Sequence, residues 1–561
     1  MALTFTPTYP GVVTGGTQLV QMEKDTDLWT LYILGLNMMQ YTDQSELLSY
    51  YQIAEYIASL FDDDAERQRY QTAALSFRIP YMDWAAQPPE GESVLPFSVG
   101  GSAFINASGP NGVQQIANPL YTYLFKPLNA SMFIEAPYDL WLTTVRAPTA
   151  QDSTAGSNNT AVSLALNQNL PSIQQRLYNL FSNYQNYSTF SNEAWIPTSS
   201  SGKYDSLESL HDTIHSLAGL QGHMAWIPFS AFDPIFFLHH AMVDRVFALW
   251  QILNPDSWVL PTAAALASYT TKAGETQDSK TPLTPFYKYS NGSFWNSDDV
   301  RDMGVFGYTY DDMVELPRAS LYIANATAQA QAAVLINTLY GSSSPASLGI
   351  MGQNNRGLSK RTVRTSERIP HGSRPATEHL AVNEKAGSHF GGFGGVHRKP
   401  IPASVVVDME YREWVANVRV QKQALNSTFF IDLFLGDRPS DSTTWAHASN
   451  LVGTMSVFAA PAGAMTGMDM SAGHTSGTIP LTSALVQKVA AGELASLEPI
   501  VIEPYLLQNL HYGIIMTDGT VVGPEAVAGL GIAVISSCVR APASAEELPR
   551  WGAVEEHFKL V

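Results

Sequence analysis

The stretch FDPIFFLHHAMVDR, residues 232–245, decides how this chain is read. It places two histidines, His239 and His240, at the end of an apolar, aromatic run. An imidazole is costly to bury without a partner, so such a pair in a hydrophobic helix asks for a ligand. A short loop upstream, LHDTIHSL carries His211 and His215. Four residues apart on a helix, these two share one face a turn apart, and their ring nitrogens can converge on one ion. His239 or His240, from the next helix, can complete a trigonal three-nitrogen site. All-imidazole ligation suits copper, zinc or iron. Glu208 and Asp212 lie beside these ligands as acid/base or ligand-orienting candidates.

Working outward, apolar residues recur at helical spacing through 24–62, predicting two helices, and DAERQRYQTAALSFR continues that pattern up to the prolines at 80, 88 and 89. Residues 90–170, rich in Gly, Pro, Ser and Asn, read as loops. NLPSIQQRLYNLFSNYQNY predicts a helix with Pro171 near its start. The expected first domain, residues 1–347, is therefore mainly helical, with a four-helix-bundle site and long loops. Residues 348–400 predict a flexible basic linker: positions 351–400 hold nine Lys/Arg against three Asp/Glu and show no sustained period. The Lys360-Arg361 pair in it is a candidate protease site. From 401 to 561 the period becomes two. ASVVVDMEY, EWVANVRVQ, TFFIDLFLG, LVGTMSVFAA, HYGIIMTDGTVV and GIAVISSCV read as strands, and TSALVQKVAAGEL as a helix, giving a β-sandwich or barrel.

The bulk properties narrow the partners. At 561 residues the chain exceeds one core. A formal charge of −19 argues against nucleic acid and anionic membranes. With Cys538 as the single cysteine no internal disulfide can form. No apolar run reaches the length of a membrane span, and the N-terminus lacks a basic start followed by an apolar core, so a cytosolic chain is expected and the seven Asn-x-Ser/Thr sequons are read as idle. A homo-oligomer is left open. There is no Gly-rich phosphate loop, G-x-S-x-G or Cys-x-x-Cys. MTGMDMSAGH (465–474) carries Met465, Met468, Met470 and His474, soft donors on what reads as a flexible loop.

Residues 206–251 resemble the second copper-binding half of tyrosinases, the fungal ones above all. The resemblance implies a type 3 copper oxidoreductase taking phenols or catechols and O2 to o-quinones that feed melanin-type pigment. It assigns copper B to His211, His215 and His240, makes His239 the neighbouring non-ligand that points away and hydrogen-bonds, and gives Glu208 the water-orienting role. Asp212 stands where strong monophenolases often have Asn. GYTYDDM, with Tyr308 and Tyr310, resembles the tyrosine motif closing the catalytic domain, and two C-terminal stretches resemble the domain that shields the site until the linker is cut.

The family's chemistry requires two coppers and six histidines. This chain has 13 histidines, and the first is His211. DQSELLSYYQIA (43–54) resembles the segment leading into the first copper A histidine, and 55–86 the segment after the third. The copper A ligands between them are missing, with a join near Ala54-Glu55. The resemblance thus predicts a copper oxidase, with a catalytically impaired relative holding one copper or none as the alternative.

Overall fold

A computed structural model describes residues 14–41, 68–69, 73, 76–354 and 399–561, apart from a few short loops (196–201 among them) and residues 461–472. The predicted join at 54–55, most of the linker and the Met-rich loop lie outside the described residues.

Helix α1 (Thr26–Tyr41) leads to α2 (Asn159–Asn183), α3 (Leu207–Gly219), α4 (Ile235–Leu253) and α5 (Ala326–Tyr340). One apolar core joins them, including Leu166, Ile173 and Leu177 of α2, Leu210, Ile214 and Leu217 of α3, and Leu238, Met242 and Trp250 of α4. Helix α2 begins well before the expected position, because the Asn158 side chain caps it by accepting from the Ala161 amide at 3.1 Å. Pro171 consequently lies inside the helix. The expected loop region also holds a hairpin, Phe104–Gly109 paired with Gly112–Ala117. Helix α3 starts at Leu207, with Ser206 accepting from the Ser209 amide at 3.0 Å.

The C-terminal domain holds two separate antiparallel sheets. Strands β1 (Glu410–Gln421), β2 (Phe429–Leu435), β3 (Leu451–Val457), β4 (His474–Pro480), β5 (Leu510–Met516), β6 (Val521–Val522), β7 (Gly531–Arg540) and β8 (Arg550–Lys559) run in the orders β4-β1-β7-β8 and β6-β5-β2-β3. A shared core fills the space between, drawing Trp414 and Val418 from one sheet and Ile431 and Met455 from the other. Helix α6 (Thr482–Ala491) occupies its expected place. The first expected strand, 403–411, is instead a short 3-10 turn followed by Asp408 and Met409 at positive φ, and β1 begins only at Glu410.

The two domains interlock through buried polar pairs. Lys422, just past β1, reaches Glu193 at 2.5 Å, and Thr475 of β4 donates to the other Glu193 oxygen. Thr478 donates to Asp205 at 2.6 Å, and Asp205 is itself held by Arg176 of α2 in a bidentate pair at 2.7 and 2.9 Å. These contacts lay β3 and β4 across α2 and α3, over the histidines. Among the described residues no helix is long and apolar enough to cross a membrane.

Candidate metal centre

The four histidines singled out by the sequence come together. Among the described residues they form the one group able to hold a metal ion. His211 and His215 project from one face of α3, and His239 and His240 from the facing side of α4. The Nε2 of His240 lies 3.1 Å from that of His215 and 3.4 Å from that of His211.

Their second nitrogens fix the tautomers. His215 Nδ1 faces the Met224 carbonyl at 3.0 Å, which can only accept, so Nδ1 carries the proton and Nε2 presents a lone pair. His211 Nδ1 meets Asp212 Oδ1 at 2.9 Å in the same sense. The Gly222-His223-Met224 turn that supplies the carbonyl is seated because Gly222 packs directly on the Val145 carbonyl, where a Cβ would collide. His223 itself turns away into an aromatic box of Phe125, Tyr138 and Trp141, accepting from the Val145 amide at 3.0 Å.

These residues fit a metal ion. Two nitrogens each about 2.0–2.1 Å from one ion and about 109° apart stand about 3.3 Å from each other, the spacing found here. Without a cation, lone pairs at this range would repel. Burial also keeps the rings neutral: it pushes His211 down to about 4 against the opposing influence of Glu208, pushes His240 to about 4, and holds His215 well below the usual range. A neutral imidazole is the form that ligates.

His239 departs from expectation. It does not point away: it is fully buried, its ring centroid lies 4.8–5.2 Å from those of the other three, and neither ring nitrogen makes a well-formed hydrogen bond, with the His211 backbone beside it.

Of the two acid candidates, Asp212 touches a ligand. Its other oxygen is buried without a hydrogen bond, and burial with the nearby Glu193 drives its carboxyl well up. Glu208 is tied to the domain junction, where its Oε2 accepts from the Glu193 amide at 3.0 Å. Burial, reinforced by Glu193, pushes Glu208 up to about 7.

Sequence reasoning missed the aromatic walls. Phe236 stacks on His240 at 4.1 Å between centroids. Phe458, just past β3, stacks on His215 at 4.8 Å and is itself buried. The Ser456 hydroxyl on the same strand hydrogen-bonds Ser216 of α3. Behind the ligands, Asp244 accepts from Tyr308 at 2.7 Å and from Tyr310, and Arg245 binds Asp312 and Tyr340, locking α4 to the GYTYDDM segment.

Residues 56–253 match the common central domain of tyrosinase, and 413–534 the tyrosinase C-terminal domain. A tyrosinase of Neurospora crassa is 32% identical over 523 residues, covering 84% of this chain and 75% of the relative. One from Podospora anserina is 32% identical over 467 residues, covering 80% and 78%. A recombinant mushroom tyrosinase structure superposes with a TM-score of 0.72 at 20% identity, covering 99% of both chains. Sequence, architecture and the placement of the imidazoles agree, and the chain belongs to the tyrosinase family of copper oxidoreductases.

Proposed function

We propose that this chain oxidises small phenols or catechols to o-quinones with O2 at a copper held by His211, His215 and His240, the products feeding melanin-type pigment. The observation that carries the reading is the approach of His240 Nε2, from the second histidine of the pair, to the Nε2 atoms of His215 and His211 on the His-x3-His helix, at 3.1 and 3.4 Å. Copper bound there supplies one-electron redox chemistry and a Lewis acid toward a phenolic oxygen. The remaining work falls to the protein. Asp212 and the Met224 carbonyl hold His211 and His215 in register. Glu208, to which the resemblance gives the water-orienting role, is held at the domain junction by the Glu193 amide, with burial pushing it up to about 7. Phe236 and Phe458 wall the site against water. Two catechols together give up four electrons and four protons, which reduce one O2 to two waters; a phenol instead takes one oxygen atom of O2 into the o-quinone, and the other leaves as water. Phe458 occupies the approach to His215, so the C-terminal domain acts as a cover until the linker is cut.

One observation favours a second reading, a relative that binds copper but oxidises poorly. Residues 1–210 contain no histidine, so no second trio can come from the helices that precede α3. Purified full-length protein, copper-loaded and cut in the linker, separates the two. Rapid O2-dependent quinone formation from catechol, abolished in His240→Ala, supports the oxidase. One bound copper with no quinone above the free-copper background supports the impaired relative.

A further inference from the structure

Glu193 lies upstream of α3, 2% exposed, and its carboxylate is satisfied from the other domain. Lys422 Nζ meets Oε1 at 2.5 Å, and the Thr475 hydroxyl donates to Oε2 at 2.5 Å. The Glu193 carbonyl accepts from the Ser476 amide at 3.0 Å and from the Ser476 hydroxyl at 2.9 Å. Strand β4 is an edge of its sheet, and its Ser476 amide finds this acceptor in the catalytic domain. The Glu193 amide in turn donates to Glu208 Oε2 at 3.0 Å, in the first turn of α3 and three residues before His211. One residue thus ties the C-terminal domain to the start of the ligand helix.

Asp205 makes the contrast. Thr478 donates to it at 2.6 Å, but Arg176 of its own domain holds it at 2.7 and 2.9 Å, and the Ser206 amide donates at 3.0 Å. Separating the domains leaves Asp205 paired, whereas Glu193 would exchange Lys422 and Thr475 for water. Within the ion pair the carboxylate is the buried member: the Glu193 side chain is 2% exposed and that of Lys422 26%. Lys422 also faces the carboxyls of Glu208 and Asp212. A carboxylate stranded here without its ammonium is costly while the domains stay together, and that cost disappears once water reaches it.

We propose that the Glu193–Lys422 pair is the latch of the cover, and that stranding Glu193 opens the chain with its linker uncut. The inference rests on the reading of the C-terminal domain as a cover over the copper. A buried ion pair holds surfaces together little better than a well-packed apolar pair of the same size. What this pair supplies is a condition: the closed arrangement accommodates Glu193 only while Lys422 is in place. Opening lifts β3 and β4 together, because Ser476 of β4 grips Glu193 and Phe458, just past β3, stacks on His215. The charge pair and the linker are then two separate controls on one cover.

The test uses the full, uncut, copper-loaded chain with two readouts: copper removal by a chelator, and deuterium exchange of the peptide carrying Ser476. Lys422→Met should speed both at least about tenfold. Adding Glu193→Leu to Lys422→Met removes the stranded charge and should return both close to wild type. A folded Lys422→Met protein with wild-type rates overturns the proposal, and so does a double variant as open as the single one. Should Lys422→Met not fold, Thr475→Val, which strands the other Glu193 oxygen at nearly unchanged side-chain size, takes its place with the same readouts. If cutting the linker of the wild type leaves copper removal unchanged, the cover reading fails. Exchange at Ser476, which needs neither copper nor catechol, then decides the latch alone.

Discussion

The Phe458 ring lies against the His215 imidazole, 4.8 Å between centroids and 18° from parallel. One residue belongs to the C-terminal domain and the other to the ligand helix, so the cover and the metal centre meet directly here. Phe458→Ala removes the ring and leaves a void at the domain junction. Copper removal by a chelator, and access of a small catechol, should speed up several-fold, while stability falls by about 3 kcal/mol. Chelator kinetics identical to wild type would mean that Phe458 does not limit entry.

Asp212 orients His211 through a 2.9 Å bond to Nδ1. Asp212→Ala should weaken copper binding by about 10–100-fold, the usual cost of losing such a support. Asp212→Asn should recover much of the loss, because an amide oxygen still accepts from Nδ1–H. Equal loss in both variants would assign Asp212 to charge balance with Lys422 and Arg176 instead.

Glu413 of β1 is fully buried, and neither carboxylate oxygen has a well-formed hydrogen bond. Burial lifts it from 4.5 to about 8, opposed by nearby Thr482 and Asn179. The folded state thus holds a proton that the unfolded chain releases. Its contribution is fully present below about pH 4.5 and is lost as pH rises to about 8, by up to about 1.4 kcal/mol per pH unit. Glu413→Gln cannot ionise, so it should gain stability relative to wild type between pH 5.5 and pH 8 in urea unfolding. A difference independent of pH would contradict this.

Much of the site could be read from spacing alone. His211 and His215 share a helix face by their interval, and the resemblance selected His240. The inward placement of His239 could not be read, because whether the first member of a His-His pair turns inward depends on how α4 rotates against α3. Phe458 was equally hidden, since the β3–α3 contact is made between residues about 240 positions apart, as Ser216 and Ser456 are. In the fold, Pro171 misplaced the start of α2 because the cap at Asn158 lies upstream in a Ser- and Asn-rich stretch. Strand β8, RWGAVEEHFK, escaped notice because it is an edge strand with few buried side chains and no alternation. Strand β4, HTSGTIP, has a turn-like composition and is a strand only because β1 pairs with it.

The account depends on His211, His215 and His240 meeting at one copper ion. The most direct measurement is copper per chain in the purified full-length protein after exhaustive dialysis, beside His215→Ala and His240→Ala. One copper in the wild type and none in either variant is the predicted result. Copper retained at wild-type stoichiometry in both variants would contradict it.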